Sequence, residues 1–192
     1  MDDPDNNIIR DLMKHQRKYA SDFEWFRNEK GVKETGIVRT LLESLSRTSA
    51  CEYRNLRHCK VDPPDCLADT LDGSLIGFEV RELVDQETIE LNERGNEVYR
   101  EWTDSEVIGK LSTILEEKDR KNYVGGPYRK LILVVHTAEP DLEYQHLATF
   151  LRSHLFGQTK QLTEAYLLFP YDSPNKAYPY IQLKLAGSGS VL

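Results

Sequence analysis

The feature that most constrains this fold is a pair of short apolar segments, residues 66–71 and 74–83, joined at Asp72-Gly73. An Asp-Gly pair between two such segments is a strong local signal for a β-hairpin. In the second segment, strand alternation places Ile76, Phe78 and Val80 on one face and Gly77, Glu79 and Arg81 on the other. The sequence therefore predicts a hairpin whose second strand carries a carboxylate and a guanidinium side by side.

Helical spacing of apolar residues predicts four helices around this hairpin. They cover residues 8–27, a stripe over 37–45, residues 103–120 and residues 141–156. Gly31 suits the stop of the first helix, and Thr103-Asp-Ser-Glu106 is a capping-box pattern that starts the third. Residues 84–102 are expected to be helical or irregular, with Tyr99 and Trp102 as anchors.

Three further segments are expected to be strands. The continuous apolar run 130–136 is typical of a central strand, 164–170 is a second, and the alternating segment 178–185 suits an edge strand. Residues 46–60 give no secure pattern. The element order predicts an α/β fold, a mixed β-sheet flanked by helices on both faces. We assign residues 1–30 to an N-terminal helical extension and 31–192 to a single α/β domain.

Composition limits the cellular setting. No apolar run approaches the roughly 20 residues of a membrane span, and the acidic start lacks the features of a signal peptide. We therefore expect a soluble, cytoplasmic protein with no membrane partner. Cys51, Cys59 and Cys66 are clustered and odd in number, which argues against a disulfide framework. The three cysteines are either ordinary buried or free thiols or, together with His58, the ligands of a Cys/His zinc site.

The net charge of −7 is unevenly distributed. Residues 8–60 hold 12 Lys/Arg against 7 Asp/Glu, whereas residues 61–118 hold 5 against 16. Overall acidity argues against broad nonspecific binding of nucleic acid. An acidic centre beside a basic flank also suits a metal-dependent phosphodiester enzyme, although solvated helix faces explain the same pattern.

Pro64-Asp65, followed after the hairpin turn by Glu79-Val80-Arg81, resembles the motif of the PD-(D/E)xK, or restriction-endonuclease-like, nuclease superfamily. The resemblance covers residues 34–170 and includes an expected αβββαβ core. The chain is also similar to small bacterial proteins of this superfamily known only as uncharacterised families. The resemblance implies hydrolysis of phosphodiester bonds in DNA or RNA, often by a homodimer.

The resemblance also implies a Mg²⁺ site. Asp65, Glu79 and the Val80 carbonyl would hold the ion, because Mg²⁺ prefers oxygen ligands. Glu43 on the preceding helix would add a ligand or a water-mediated contact, with Glu34 as the alternative for that role. An ion there would activate a water molecule and offset charge on the phosphodiester.

Arg81 departs from the motif, which has Lys at this position. Arg supplies charge and hydrogen bonds but stays protonated, so Arg81 would stabilise charge without acting as a base. In related nucleases the Lys function can move to the following helix, where Lys110 is the candidate. Each residue has a structural alternative. Lys110 would be a snorkelling surface lysine and Asp65 a turn residue, while Glu79 would form an ion pair with Arg81 or a neighbouring strand residue. His136 either faces the same cleft or is a hydrogen-bonded structural histidine.

Two classes of function follow from these residues. The first is a Mg²⁺-dependent nuclease whose catalytic residues are Asp65, Glu79, Arg81 and Lys110. The second is a catalytically inactive domain that binds nucleic acid or a protein partner, as an antitoxin, immunity or defence-system component. In the second class an Arg81–Glu79 salt bridge would replace the ion. A zinc-stabilised regulator is a third, weaker hypothesis.

Overall fold

A computed structural model describes residues 30–47, 53–94 and 100–187. The helices are α1 (Lys30–Ser46), α2 (Gln86–Glu93), α3 (Asp104–Asp119) and α4 (Tyr144–Leu151). The strands are β1 (Tyr53–His58), β2 (Cys66–Thr70), β3 (Leu75–Glu82), β4 (Lys130–His136), β5 (Leu155–Gln158), β6 (Glu164–Leu168) and β7 (Tyr180–Ala186). No helix in these ranges has the length and apolar character that crossing a bilayer demands.

All seven strands join one mixed sheet in the order β1-β2-β3-β4-β6-β7-β5. The pairs β1–β2, β2–β3 and β6–β7 are antiparallel, whereas β3–β4, β4–β6 and β5–β7 are parallel. The prediction of a mixed sheet is confirmed, as is the central position of β4. The prediction of an edge position for the segment of β7 is wrong, because β5 pairs with the outer side of that strand.

Two apolar clusters cover the two faces of the sheet. On one face α1 packs against the strand residues that include Phe78. On the opposite face α3 and α4 pack against the residues that include Leu133 and Leu167. The alternation of β3 therefore buries Phe78 under α1 and turns the Glu79 side of the strand toward α3.

The predicted hairpin is confirmed by antiparallel pairing of β2 with β3. Gly73 has φ +83°, a conformation that glycine adopts without strain, and Ser74 N donates to Asp72 Oδ1 at 3.0 Å. Gly77 matters for a different reason. A Cβ there would lie 2.6 Å from a Leu131 methyl group and 3.2 Å from Pro64, so Gly77 lets the segment before Asp65 lie directly against β3.

The predicted capping box of α3 is also present. Glu106 N donates to Thr103 Oγ1, and Thr103 N donates to Glu106 Oε2 at 2.9 Å. Both bonds satisfy backbone donors that a helix start leaves unpaired. They fix where α3 begins, and hence which of its side chains face the sheet.

Other expectations need correction. Gly31 lies in the first turn of α1 and does not stop a helix. Glycine is suited to this position because a Cβ would meet the His58 ring at 2.7 Å. The helix predicted over 141–156 ends at Leu151, and residues 155–158 form β5 on the free edge of β7. Residues 46–60, left without an assignment, contain β1. The helix predicted over 8–27 and the anchor Tyr99 lie outside the described residues.

Candidate active site

Asp65 is held by its own backbone beside the second strand of the hairpin. Its N–H donates to Phe78 O at 3.0 Å, and Cys59 N donates to its carbonyl at 2.8 Å. The carboxylate is 4% exposed, and Oδ2 accepts a 2.7 Å hydrogen bond from Val80 N. Three backbone contacts therefore fix this residue, and its other oxygen, Oδ1, lies 3.8 Å from Lys30 Nζ.

Glu79 is the most deeply buried carboxylate of the site, with a side-chain exposure of 1%. Its Oε2 accepts hydrogen bonds from Lys118 and, at 2.9 Å, from Lys121. Oε1 has no hydrogen-bond partner among the described residues. A buried carboxylate oxygen without a partner is costly, so this oxygen is available as a ligand.

Lys118 joins the two carboxylates and the backbone between them. Its Nζ contacts Glu79, donates to Val80 O at 3.3 Å and lies 4.0 Å from Asp65 Oδ2. The Val80 carbonyl predicted as a ligand therefore points into the site. The lysine side chain is only 11% exposed, so its charge is enclosed with the carboxylates.

Asp62 adds a third carboxylate at the mouth of the site. Carboxylate oxygens of Asp62, Asp65 and Glu79 all lie within 4.8 Å of one another. Asp62 is half exposed, accepts a hydrogen bond from Lys30 at 3.2 Å and lies 3.7 Å from Lys121 Nζ. Its partial burial acts to raise its pKa, but the Lys30 hydrogen bond together with the charges of Lys30, Lys121 and Lys118 outweighs this and lowers the pKa below the usual range. Asp62 was not among the residues predicted from the sequence.

Glu34 supplies the carboxylate from helix α1. It is buried, lies 3.4 Å from Lys30 and 3.6 Å from His58 Nδ1, and its Oε2 has no hydrogen-bond partner in the described part of the chain. Burial and the neighbouring Asp65 carboxylate raise the pKa of Glu34 to about 7. Glu43, the preferred helical ligand, is exposed further along α1. The structure therefore brings Glu34 to Asp65, and it does not bring Glu43.

The donor set fits a hard divalent cation. Oxygens of Asp62, Asp65 and Glu79 lie within 4.8 Å of one another, and the Val80 carbonyl is directed toward the same group. Among the described residues Glu79 Oε1 is buried without a hydrogen bond. Mg²⁺ prefers such oxygen ligands. The excess of negative charge at neutral pH is small, because the pKa of Glu34 is raised to about 7. Four carboxylates face three lysines. These are Glu34, Asp62, Asp65 and Glu79 against Lys30, Lys118 and Lys121.

Neither cation predicted from the sequence lies in this cluster. Arg81 is exposed, and within the described ranges it forms no salt bridge with Glu79 or Asp65. Lys110 is exposed on α3, two turns before Lys118. A sequence signal for Lys118 did exist. Lys118 falls at the centre of the buried stripe of α3, whereas Lys110 falls at its margin.

The cysteines and His136 make other contacts, whereas His58 lies beside Glu34. Cys66 is buried against Thr35, and burial raises its thiol pKa to about 12, while Cys59 donates to Val61 O at 3.0 Å. Among the described residues the group with metal-ligating geometry is the acidic one, and Cys51 lies outside those residues. His136 is buried, and burial lowers its pKa to about 3.

Comparison with known proteins gave no match. No family model, no curated protein and no solved structure matched this chain. The fold and the site are therefore interpreted from their own geometry.

Proposed function

We propose that this chain is a Mg²⁺-dependent nuclease of the restriction-endonuclease-like class that hydrolyses phosphodiester bonds in DNA or RNA. The observation that carries the proposal is Glu79, a carboxylate with 1% exposure and one oxygen without a partner in the described residues. That carboxylate lies within ligand distance of Asp62 and Asp65. The order helix, three antiparallel strands, two helices, parallel strand around the site supports the same class.

Asp65, Glu79 and the Val80 carbonyl would hold the ion, with Asp62 at the mouth and Glu34 on the helix side. When bound, Mg²⁺ supplies Lewis-acid activation of water and of the phosphodiester. Lys118 takes the place of the lysine of the motif, because its ammonium group is the cation enclosed between the carboxylates. It donates hydrogen bonds and offsets negative charge that develops on the reacting phosphate.

Lys30 and Lys121, which are nearer to solvent than Lys118, would bind the incoming phosphodiester. Lys30 and Lys121 both reach Asp62, which places them on either side of the mouth of the site. A phosphodiester entering the site meets these two ammonium groups first, and they position it by charge. Glu34, with a pKa raised to about 7, is able to exchange a proton near neutral pH.

Cleavage of labelled single-stranded and duplex DNA and RNA tests the proposal. We expect cleavage with Mg²⁺ or Mn²⁺ and none in chelator. Asp65→Asn and Glu79→Gln remove ligand charge with little change of shape and should abolish it. Glu43→Gln, an exposed glutamate on α1, is the matched control and should keep full activity. If the chain bound no divalent ion and Asp65→Asn changed nothing, the proposal would be rejected.

The salt bridges of Glu79 favour a second candidate function. Lys118 and Lys121 already neutralise this carboxylate, as a domain that has replaced its ion with a permanent salt bridge would require. Such a domain would bind nucleic acid or a protein partner without cleaving, as an antitoxin, immunity or defence-system component. Nucleic-acid binding that is identical with Mg²⁺ and with chelator, and no cleavage, would select this function.

A further inference from the structure

The end of helix α3 is held from outside by side chains that the proposed chemistry does not use. Lys118 and Lys121 stand on either side of Asp119, the last residue of the helix. The carbonyl of Lys118 accepts a 2.8 Å hydrogen bond from Tyr123 Oη. Gln161 Nε2 donates to the carbonyls of Asp119 at 2.6 Å and of Lys121 at 2.8 Å. Carbonyls that a helix end normally leaves to water are thus held by two side chains.

The Asp119 carboxylate makes the reciprocal contact. It accepts backbone N–H bonds from Lys160 at 2.8 Å, Gln161 at 2.8 Å and Leu162 at 2.9 Å. Burial acts to raise the pKa of Asp119, but these backbone donors outweigh it and lower the pKa below its usual range. The carboxylate therefore stays charged and keeps all three bonds over the working pH range.

The turn that contacts α3 is itself tied to the centre of the sheet. Leu162 is buried in the same core as α3. Thr163 donates to Leu131 O through its N–H at 2.8 Å and its hydroxyl at 3.0 Å. A chain of hydrogen bonds therefore runs from β4 through the 160–162 turn to the carbonyls of Asp119 and Lys121.

We propose that Gln161 and Asp119 are positioning residues that hold the ammonium groups of Lys118 and Lys121 on Glu79. The inference rests on the proposed function, since the lysines matter to catalysis only if Glu79 belongs to an active site. Both Nζ atoms reach a single carboxylate oxygen, Glu79 Oε2. Holding two long lysine side chains on one oxygen costs side-chain entropy, and a fixed backbone limits that cost because it restricts the positions from which each chain starts. Gln161 fixes the carbonyl of Asp119, which follows Lys118, and the carbonyl of Lys121 itself.

Amine-reactive labelling followed by mass spectrometry tests the positioning without any activity. In the unaltered chain Lys118 and Lys121 should react more slowly than Lys110, which is exposed on the same helix. Gln161→Met keeps the length of the side chain and removes both donors. It should raise the labelling rates of both lysines by roughly tenfold, the size typical of losing an outer-shell partner. The control Gln182→Met, at an exposed site on β7, should leave them unchanged.

Kinetics then separate positioning from general damage. Gln161→Met should lower kcat for cleavage by roughly tenfold, with KM and Mn²⁺ affinity changed less than about twofold. Tyr123→Phe, which keeps the ring and loses the bond to Lys118 O, should give a smaller change in the same direction. Unchanged lysine labelling, or unchanged kcat despite faster labelling, overturns the inference. Absence of cleavage by the unaltered chain would instead reject the proposed function, and the labelling result would still decide the positioning.

Discussion

Replacing Lys118 by Met distinguishes a metal site from a permanent salt bridge. Met keeps the length and apolar stem of the side chain but removes the charge that lies beside Glu79 and 4.0 Å from Asp65. In chelator the two carboxylates then face each other with one cation fewer. Lys121 still pairs with Glu79 at 2.9 Å, so the loss should fall below that of an unpaired buried charge. We expect the free energy of unfolding to fall by about 1–3 kcal/mol.

The same change should strengthen metal binding. An ion held by Asp65 and Glu79 would lie at a distance from Lys118 Nζ similar to the 4.0 Å that separates Nζ from Asp65. Repulsion between a divalent ion and an ammonium group at about 4 Å is about 2 kcal/mol even at the dielectric constant of water. Because the lysine can turn partly away, we expect a gain of about 1.4 kcal/mol, which is a roughly tenfold lower Kd for the ion.

Calorimetric titration with Mn²⁺ and Mg²⁺, combined with denaturation in chelator and in excess metal, measures both effects. An ion at about 100 times its Kd adds about 2.7 kcal/mol to stability, so metal should restore what the variant loses in chelator. Lys110→Met is the matched control, since Lys110 is exposed on the same helix. If Lys118→Met lowered stability equally with and without metal and left the Kd unchanged or weaker, the reasoning would be refuted. The non-catalytic function would then be favoured.

Three further predictions concern single residues. The pKa of Glu34 is raised to about 7, so without metal its contribution to stability is full below about pH 4.5 and lost as the pH rises through about 7. Glu34→Gln should flatten the pH dependence of unfolding in this window, measured by denaturant titration in chelator. Gly77→Ala should lower the denaturation midpoint by the equivalent of about 1–3 kcal/mol, because its Cβ would meet Leu131 at 2.6 Å. An unchanged midpoint would show that the contact relaxes freely. Arg81→Ala should change the Mn²⁺ affinity measured by calorimetry by less than about twofold, because Arg81 is exposed. A larger loss of affinity would show that Arg81 contributes to the site.

Much of the fold was predictable because its strongest signals are local. The Asp72-Gly73 turn, the Thr103 capping box and the apolar run of β4 each specify an element from a few neighbouring residues. β1 and β5 were missed because their residues are largely exposed and only pairing with β2 and β7 makes them strands. Such pairing depends on the rest of the sheet and leaves no periodic pattern in the sequence.

The site was predictable where the chain carries its residues on the hairpin. Asp65, Glu79 and Val80 meet because strand pairing fixes them, and a short motif records that geometry. The cations were not predictable in the same way, since Lys118 reaches Glu79 from the last turn of α3 and Lys121 from the segment just after that helix. Helical projection nevertheless places Lys118 at the centre of the apolar stripe of α3 and Lys110 at its margin, a signal that the prediction of Lys110 overlooked.

The ammonium group of Lys118 is carried by a helix, so its position relative to the carboxylates depends on how α3 packs. A lysine two residues after Glu79 on β3 would be fixed relative to it by the strand itself. Lys118 is fixed instead by the packing of α3 on the sheet and by the 160–162 turn. Small shifts of the helix therefore move the ammonium group relative to the carboxylates without moving Asp65 or Glu79. Substitutions at the buried α3 positions Leu111 and Ile114 should consequently disturb the lysine contacts more than they disturb metal binding.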